Sequence, residues 1–152
     1  AGSLVHRIAE ENAEHWSLDR AMDQLDAEWA TISFDYEWES RAVLENCREG
    51  LRRLDGWLMQ SSHRELVGTE VPVTHVFDLP SAVVHISGSI DRLERDNAGN
   101  HIVIDYKTGT KLPGKMNPHV IQVAIYQAAL AEGDENRRPV DVGPAELVYL
   151  ME

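Results

Sequence analysis

Apolar residues recur every three or four positions through the first 64 residues of the chain, which is the spacing of helices with one buried face. Two runs show this spacing most clearly: Leu18, Met22, Leu25 and Trp29 in the first, and Val43, Leu44, Cys47, Leu51, Leu54, Leu58 and Met59 in the second. Ser17 stands just before the first run and is a candidate N-cap. The second run predicts a long helix over 40–62, and a shorter amphipathic turn precedes both at 4–11. Four tryptophans fall at helical positions, and we expect them to belong to the core rather than to form platforms on which bases stack: Trp16, Trp29, Trp38 and Trp57.

The apolar period changes from 3.6 to 2 at Arg64, where the chain becomes rich in Val and Thr. This alternation predicts a first strand over 65–77, a second over 83–93 and a third over 101–107. The second and third strands are separated by a short polar loop in which Gly99 is suited to a left-handed conformation. We therefore expect these two strands to form an antiparallel hairpin.

A helical pattern over 118–132 separates the third strand from a last strand at 145–150. A strand–helix–strand connection favours parallel pairing with a right-handed crossover. The segment 110–118 has Gly and Pro residues typical of an exposed loop; its Lys111 and Lys115 either contact phosphate or keep the loop soluble. The predicted fold class is α/β: a mixed β-sheet flanked by helices, with an N-terminal helical segment.

The composition narrows the class of protein further. A chain of 152 residues suits a single domain, with a helical part at 1–64 and a sheet with its crossover helix at 65–152. No apolar run is long enough to span a membrane and no signal peptide is evident, so we expect a cytoplasmic protein without a membrane partner. The chain does not begin with Met, which suggests a piece of a longer protein. Its one cysteine, Cys47, is expected to be a buried thiol and excludes an internal disulfide.

Two aspartates and a lysine converge in the predicted hairpin. Asp105 and Lys107 are two apart on the third strand and so project from the same face, and Asp91 lies at the end of the neighbouring strand. Carboxylate oxygens suit Mg²⁺, and the backbone carbonyl of Tyr106 is a plausible third oxygen ligand. Lys107 can hold or deprotonate a water that attacks a phosphate. The alternative is an ordinary surface Asp–Lys pair.

Three segments carry a resemblance to a known family. They are Gly-Ser-Ile-Asp-Arg at 88–92, Ile-Asp-Tyr-Lys-Thr-Gly at 104–109 and Gln-Val-Ala-Ile-Tyr at 122–126. Together they resemble the motifs of the RecB family of PD-(D/E)xK nucleases, as found in AddAB- and AdnAB-type helicase-nucleases. The resemblance implies a restriction-endonuclease-like fold, Asp91 and Asp105 as metal ligands, and Lys107 as the catalytic lysine. It also implies that His6, in Gly-x-x-x-His, is a further ligand to Mg²⁺ or Mn²⁺.

Three further residues are candidates for supporting the site. Gln122 and Tyr126 are four apart and share one helix face. In the family such a pair lies beside the active site and positions DNA or the metal-bound water, whereas the alternative is a helix face that only packs on the sheet. Glu70 on the first strand either orients the lysine or a water, or is a solvated strand residue.

The resemblance implies a metal-dependent DNA nuclease, exo- or endonucleolytic, with single-stranded DNA as the expected substrate. It would act in DNA repair and recombination with a helicase motor domain of the same or a partner chain. The single cysteine predicts no iron–sulfur cluster. Two alternatives remain: a catalytically silent DNA-binding or protein-docking module, and a fragment that is active only with its helicase. The net charge of −12 keeps both open, because DNA-binding surfaces are usually basic.

Overall fold

The computed structural model describes residues 2–109 and 117–151. Eight elements follow one another in the described residues: α1 (Gly2–Glu11), α2 (Leu18–Trp29), α3 (Glu37–Gln60), β1 (Glu65–Leu79), β2 (Ala82–Arg95), β3 (His101–Lys107), α4 (Pro118–Glu132) and β4 (Glu146–Tyr149). This order confirms the helical N-terminal segment and the strand–strand–strand–helix–strand sequence. The segment 110–116, with Lys111 and Lys115, lies outside the described residues.

The chain divides into two compact units. The first comprises 1–62, 106–112 and 148–152, and the second comprises 63–105 and 113–147. The first is therefore mostly helical, and the second contains most of the sheet together with α4. The prediction of a single domain over 1–152 stays a prediction.

The helices of the first unit enclose their own apolar core. Its fully buried side chains include Val5, Ile8, Leu25, Cys47, Leu51 and Leu54. The predicted cap is present, since the Ser17 hydroxyl accepts a hydrogen bond from the backbone N–H of Arg20. Cys47 is buried as expected, and its burial raises the pKa of the thiol.

The prediction for Trp38 was wrong. Its relative exposure is 69%, whereas Trp29 is buried. Trp38 lies in the first turn of α3, which begins at Glu37, three residues before the predicted start. This turn precedes the stripe of apolar residues that faces the core.

The four strands form one mixed sheet in the order β1-β2-β3-β4. β1 and β2 pair antiparallel along nearly their whole length, and β2 pairs antiparallel with β3 from Arg92 to Arg95. A parallel bridge joins His101 to Val142, just before β4. Gly99 has a φ of 86° in the β2–β3 loop, as predicted. These findings confirm the mixed sheet flanked by helices that the alternation of residues predicts.

The core of the second unit lies between α4 and one face of the hairpin. Its buried members are Val73, Ile90, Leu93, Val103, Val123, Tyr126, Ala129 and Leu130. The α4 helix begins where Asn117 accepts a hydrogen bond from the N–H of His119 and where Pro118 needs no amide partner. No helix among the described residues has both the length and the apolar character that a membrane span requires.

A buried ion cluster joins the strands of the second unit. Glu94, with 1% of its side chain exposed, contacts Arg64 at 2.9 Å and Arg92 at 2.8 Å. Arg64 also donates two hydrogen bonds to Glu146, which raise the pKa of its guanidinium. Because each buried charge has an opposite partner, the cluster holds β2 in place immediately after Asp91.

Candidate active site

The pairing of β2 and β3 sets the positions of the two aspartates. The last paired residues are Arg92 and Ile104, so Asp91 and Asp105 are the next residues beyond the end of this pairing. Asp105 is buried and Asp91 is half-buried. Carboxylates on neighbouring strands are oxygen donors of the kind that a divalent cation binds.

β3 continues from Asp105 to Lys107, the last residue of the strand. Tyr106 is buried and Lys107 is half-buried. The carbonyl of Lys107 accepts a hydrogen bond from the N–H of Leu150 at 2.8 Å, within the first unit. Asp105 and Lys107 are two positions apart on this strand, and their common face stays a prediction.

The His6 side chain contacts the backbone carbonyl of Tyr106, which lies 100 positions later in the chain. Its Nε2 is 2.8 Å from the Tyr106 carbonyl oxygen and its Nδ1 is 3.0 Å from the Gly2 carbonyl oxygen. A neutral imidazole donates from only one nitrogen. Two carbonyl contacts therefore suit either a protonated ring or a ring whose second nitrogen shares a cation with the oxygen.

The distance between His6 Nε2 and the Tyr106 oxygen fits a shared metal ion. Two adjacent ligands of an octahedral ion, each about 2.0–2.1 Å from it, stand about 2.9 Å apart. The Tyr106 side chain fixes this carbonyl in the first unit, since its ring makes edge contacts with His6 and Trp57 at centroid distances of 6.1 and 6.4 Å.

Gly2 lies close to Thr108 and to the His6 ring, and the sequence analysis names Gly2 only as the first residue of the Gly-x-x-x-His motif. A Cβ built on Gly2 would lie 2.5 Å from the hydroxyl oxygen of Thr108. Any larger residue would displace Thr108 or the start of α1. The Gly2 carbonyl is also the partner of His6 Nδ1. The Gly-x-x-x-His spacing thus has a local physical reason.

Gly88, Gln122 and Tyr126 meet in the second unit. A Cβ built on Gly88 would lie 2.2 Å from the Tyr126 hydroxyl oxygen, so any larger residue at position 88 would force the tyrosine to shift. Gln122 Nε2 is 3.4 Å from the same hydroxyl. Tyr126 is buried and belongs to the core, which agrees with a helix face that packs on the sheet. A role of Gln122 and Tyr126 beside the active site stays a prediction.

Glu70 occupies the β1 position opposite Asp91. Its neighbours Thr69 and Val71 pair with Arg92 and Ile90. Its φ is 45°, which makes it the one non-glycine residue with a positive φ in the described part of the chain. Its exposed carboxylate accepts a hydrogen bond from the Ser89 hydroxyl at 2.9 Å. Sequence reasoning singled out Glu70 but not Ser89, because nothing local marks a serine as its partner.

Within residues 2–109 and 117–151, no group of three or more His, Cys, Asp or Glu side chains is arranged to hold a metal ion. The donors that fit an ion are instead found separately in each unit. They are His6 with the Tyr106 carbonyl in the first unit, and Asp91 and Asp105 in the second. Nitrogen and oxygen donors of this kind suit Mg²⁺ or Mn²⁺.

A family model described as the PD-(D/E)XK nuclease superfamily matches residues 1–152. The similar solved structures include SSO0001, with 21% identity over 83% of this chain and 65% of that chain, at a TM-score of 0.37. Protein VC1899 from Vibrio cholerae has 15% identity over 99% of this chain and 46% of that chain, at a TM-score of 0.35. This chain thus spans less than two thirds of either protein. No curated protein matches it.

Proposed function

Because the chain belongs to the PD-(D/E)XK nuclease superfamily, we propose that it is a metal-dependent deoxyribonuclease that hydrolyses phosphodiester bonds with water as the nucleophile. The observation that supports the proposal best is the β2–β3 pairing that ends at Arg92 and Ile104, immediately next to Asp91 and Asp105, with Lys107 two residues farther along β3. Two carboxylates and an ammonium are the groups that this hydrolysis needs.

Asp91, Asp105, His6 and the Tyr106 carbonyl are the proposed metal ligands. A bound Mg²⁺ or Mn²⁺ acidifies a water and offsets charge on the phosphate. The chain's own contribution is to hold these donors in advance: the hairpin holds the aspartates, and the buried Tyr106 ring holds its carbonyl beside His6. The single cysteine is consistent with a site that has no iron–sulfur cluster.

Lys107 is the proposed catalytic lysine. It would hold the attacking water and offset the negative charge that grows on the phosphoryl oxygens. Gln122 and Tyr126 would support the site from α4, where the tyrosine hydroxyl lies against Gly88. Glu70 would support it from β1.

The finer description belongs to the same proposal. We infer single-stranded DNA as the substrate, DNA repair or recombination as the setting, the cytoplasm as the location, and a helicase motor domain of the same or a partner chain as the partner. A separate motor domain would supply the basic track that a chain of net charge −12 lacks.

The net charge also favours a second candidate function. A catalytically silent module that holds DNA or docks a protein needs no metal-bound carboxylates, and a strongly acidic surface suits protein contacts better than phosphate contacts. The two functions differ in whether the purified chain cleaves DNA and whether cleavage depends on Asp105 and Lys107.

The test is cleavage of labelled single-stranded and double-stranded DNA by the purified chain in Mg²⁺ or Mn²⁺. We expect Asp105→Asn and Lys107→Ala each to lower the rate by roughly 10²–10⁴-fold. Asp78→Asn is the matched control, since Asp78 is an exposed aspartate on β1. Cleavage that survives in both site variants would refute the assignment. Bound Mn²⁺ without any cleavage would favour a nuclease that needs its motor domain, and neither binding nor cleavage would favour the silent module.

A further inference from the structure

Glu70 has a backbone conformation that its residue type disfavours. A φ of 45° is left-handed, and outside glycine it is mostly adopted by Asn and Asp. Glutamate in the middle of a 15-residue strand gains nothing locally from it. Such strained residues persist where the surrounding structure requires them, and they cluster at functional sites.

The hydrogen bond from Ser89 stabilises the fold too little to offset the strained backbone of Glu70. Glu70 is exposed, so water would serve its carboxylate nearly as well as a serine hydroxyl does. What the bond does is direct the carboxylate. Ser89 stands two residues before Asp91 on β2, on the strand face that Asp91 shares.

Three neighbouring strands each carry one of these carboxylates. Glu70 lies between Thr69 and Val71, which pair with the two neighbours of Asp91 on β2, and Asp105 follows the last β2–β3 pair on the next strand. An exposed carboxylate near two others can accept a hydrogen bond from a water molecule that lies among them. The strain, the directed hydrogen bond and this placement are three separate features of the same residue.

We propose that Ser89 and Glu70 act as one positioning pair, in which the Ser89 hydroxyl orients the Glu70 carboxylate to accept a hydrogen bond from a water molecule beside Asp91. The pair acts through that water and makes no bond to the substrate. This inference rests on the proposed nuclease function and adds Ser89 to it. It also gives Glu70 a defined role.

The kinetic test compares Ser89→Ala, Glu70→Gln and the double variant in the full chain. We expect Ser89→Ala to lower kcat by about tenfold and Glu70→Gln by about 10–100-fold, with KM within about twofold. The double variant should be no slower than Glu70→Gln, because the two residues act in series. Ser89→Thr keeps the hydroxyl and should restore most of kcat. Ser87→Ala is the matched control, since Ser87 is exposed two residues earlier on the same strand.

The stability test uses Glu70→Gly, which relieves the strain and removes the carboxylate. We expect Tm to rise by roughly 2–4 °C while kcat falls as in Glu70→Gln. Thr74→Gly, at an exposed β1 position with a negative φ, should lower Tm instead.

The outcomes distinguish a failure of the Ser89–Glu70 pair from a failure of the proposed nuclease function. Unchanged kcat in Ser89→Ala or in Glu70→Gln, with an active parent chain, would overturn the positioning pair and leave the nuclease standing. A Glu70→Gly variant that loses stability would show that the left-handed conformation is not strained, which would also overturn it. An inactive parent chain that also binds no Mn²⁺ would overturn the nuclease and the pair together, and in a chain that binds Mn²⁺ without cleaving DNA the stability test of Glu70→Gly decides the pair.

Discussion

The two units hold their proposed functional groups in different ways. In the second unit, Asp91 and Asp105 lie on paired neighbouring strands and Tyr126 packs against Gly88. A buried ion cluster holds the residues of β2 that follow Asp91. In the first unit, His6 is held by two contacts with carbonyl oxygens near a helix N-terminus. Groups set by a backbone ladder and a close-packed core tolerate few substitutions, whereas a single side chain at a helix end can be removed without unfolding the chain.

The ion pairs of the two units show the same contrast. Glu49 on α3 contacts Arg52 and Arg53, and all three side chains are more than a third exposed. Glu94 contacts Arg64 and Arg92, and these side chains are at most 10% exposed. Solvent screens the first set and makes it nearly neutral for stability, but it cannot reach the second.

The largest expected effect is therefore on the buried cluster. Glu94→Ala leaves Arg64 and Arg92 buried without their common partner, and we expect it to lower the free energy of unfolding by about 3–5 kcal/mol. Urea denaturation followed by circular dichroism measures this loss. Glu49→Ala is the control and should change stability by less than about 1 kcal/mol. Equal losses in both variants would remove the contrast between the units.

The next effect concerns the close approach of Tyr126 to Gly88. Gly88→Ala places a methyl group onto the tyrosine hydroxyl, and we expect a loss of about 1–3 kcal/mol of unfolding free energy. Adding Tyr126→Phe removes the atom in closest contact and should recover part of the loss.

Gly56→Ala is the matched glycine control for this packing. Nothing lies within 4 Å of a Cβ at Gly56, which is inside α3, so this variant should gain roughly 0.5–1 kcal/mol. A Gly88→Ala chain as stable as its parent, or a double variant without recovery, would speak against the packing described.

In the first unit we expect a change in metal affinity rather than in stability. His6→Ala should weaken Mn²⁺ binding by roughly 10–100-fold, measured by calorimetric titration, while the unfolding free energy changes by less than about 1 kcal/mol. His15→Ala, at an exposed histidine, is the control. Unaltered Mn²⁺ affinity in His6→Ala would remove His6 from the proposed ligands.

The smallest effect is a pH dependence in the β2–β3 loop. Asp96 accepts backbone hydrogen bonds from Asn100 and Ala98, which lower the pKa of its carboxyl below the ordinary value of 3.8. A lowered folded-state pKa contributes stability that is present above the ordinary pKa and is lost as pH falls through the folded one. We expect Asp96→Asn to reduce Tm slightly at pH 7, with the difference from the parent chain shrinking as pH falls below the ordinary pKa of the carboxyl. A difference that persists in acid would contradict this cause.

Much of the fold could be predicted because its elements are local patterns. Helical spacing before Arg64, alternation after it, and a glycine in the loop before β3 each report on residues only a few positions apart. The start of α3 was the exception, since Tyr36 makes no side-chain cap bond to mark it. Trp38 lies in the first turn of this helix and is exposed, whereas the sequence predicts it in the core.

The amino-acid sequence by itself determined the order of elements, the antiparallel pair of strands that contain Asp91 and Asp105, and the motifs that indicated a nuclease. Only the tertiary structure showed which carbonyl oxygen His6 contacts and that a larger residue at position 88 would collide with Tyr126. It also showed that Glu70 has a positive φ and accepts a hydrogen bond from Ser89. The physical reason is distance along the chain. Periodicity reports on neighbours within one element, but contacts between residues 19 to 100 positions apart depend on how whole elements pack.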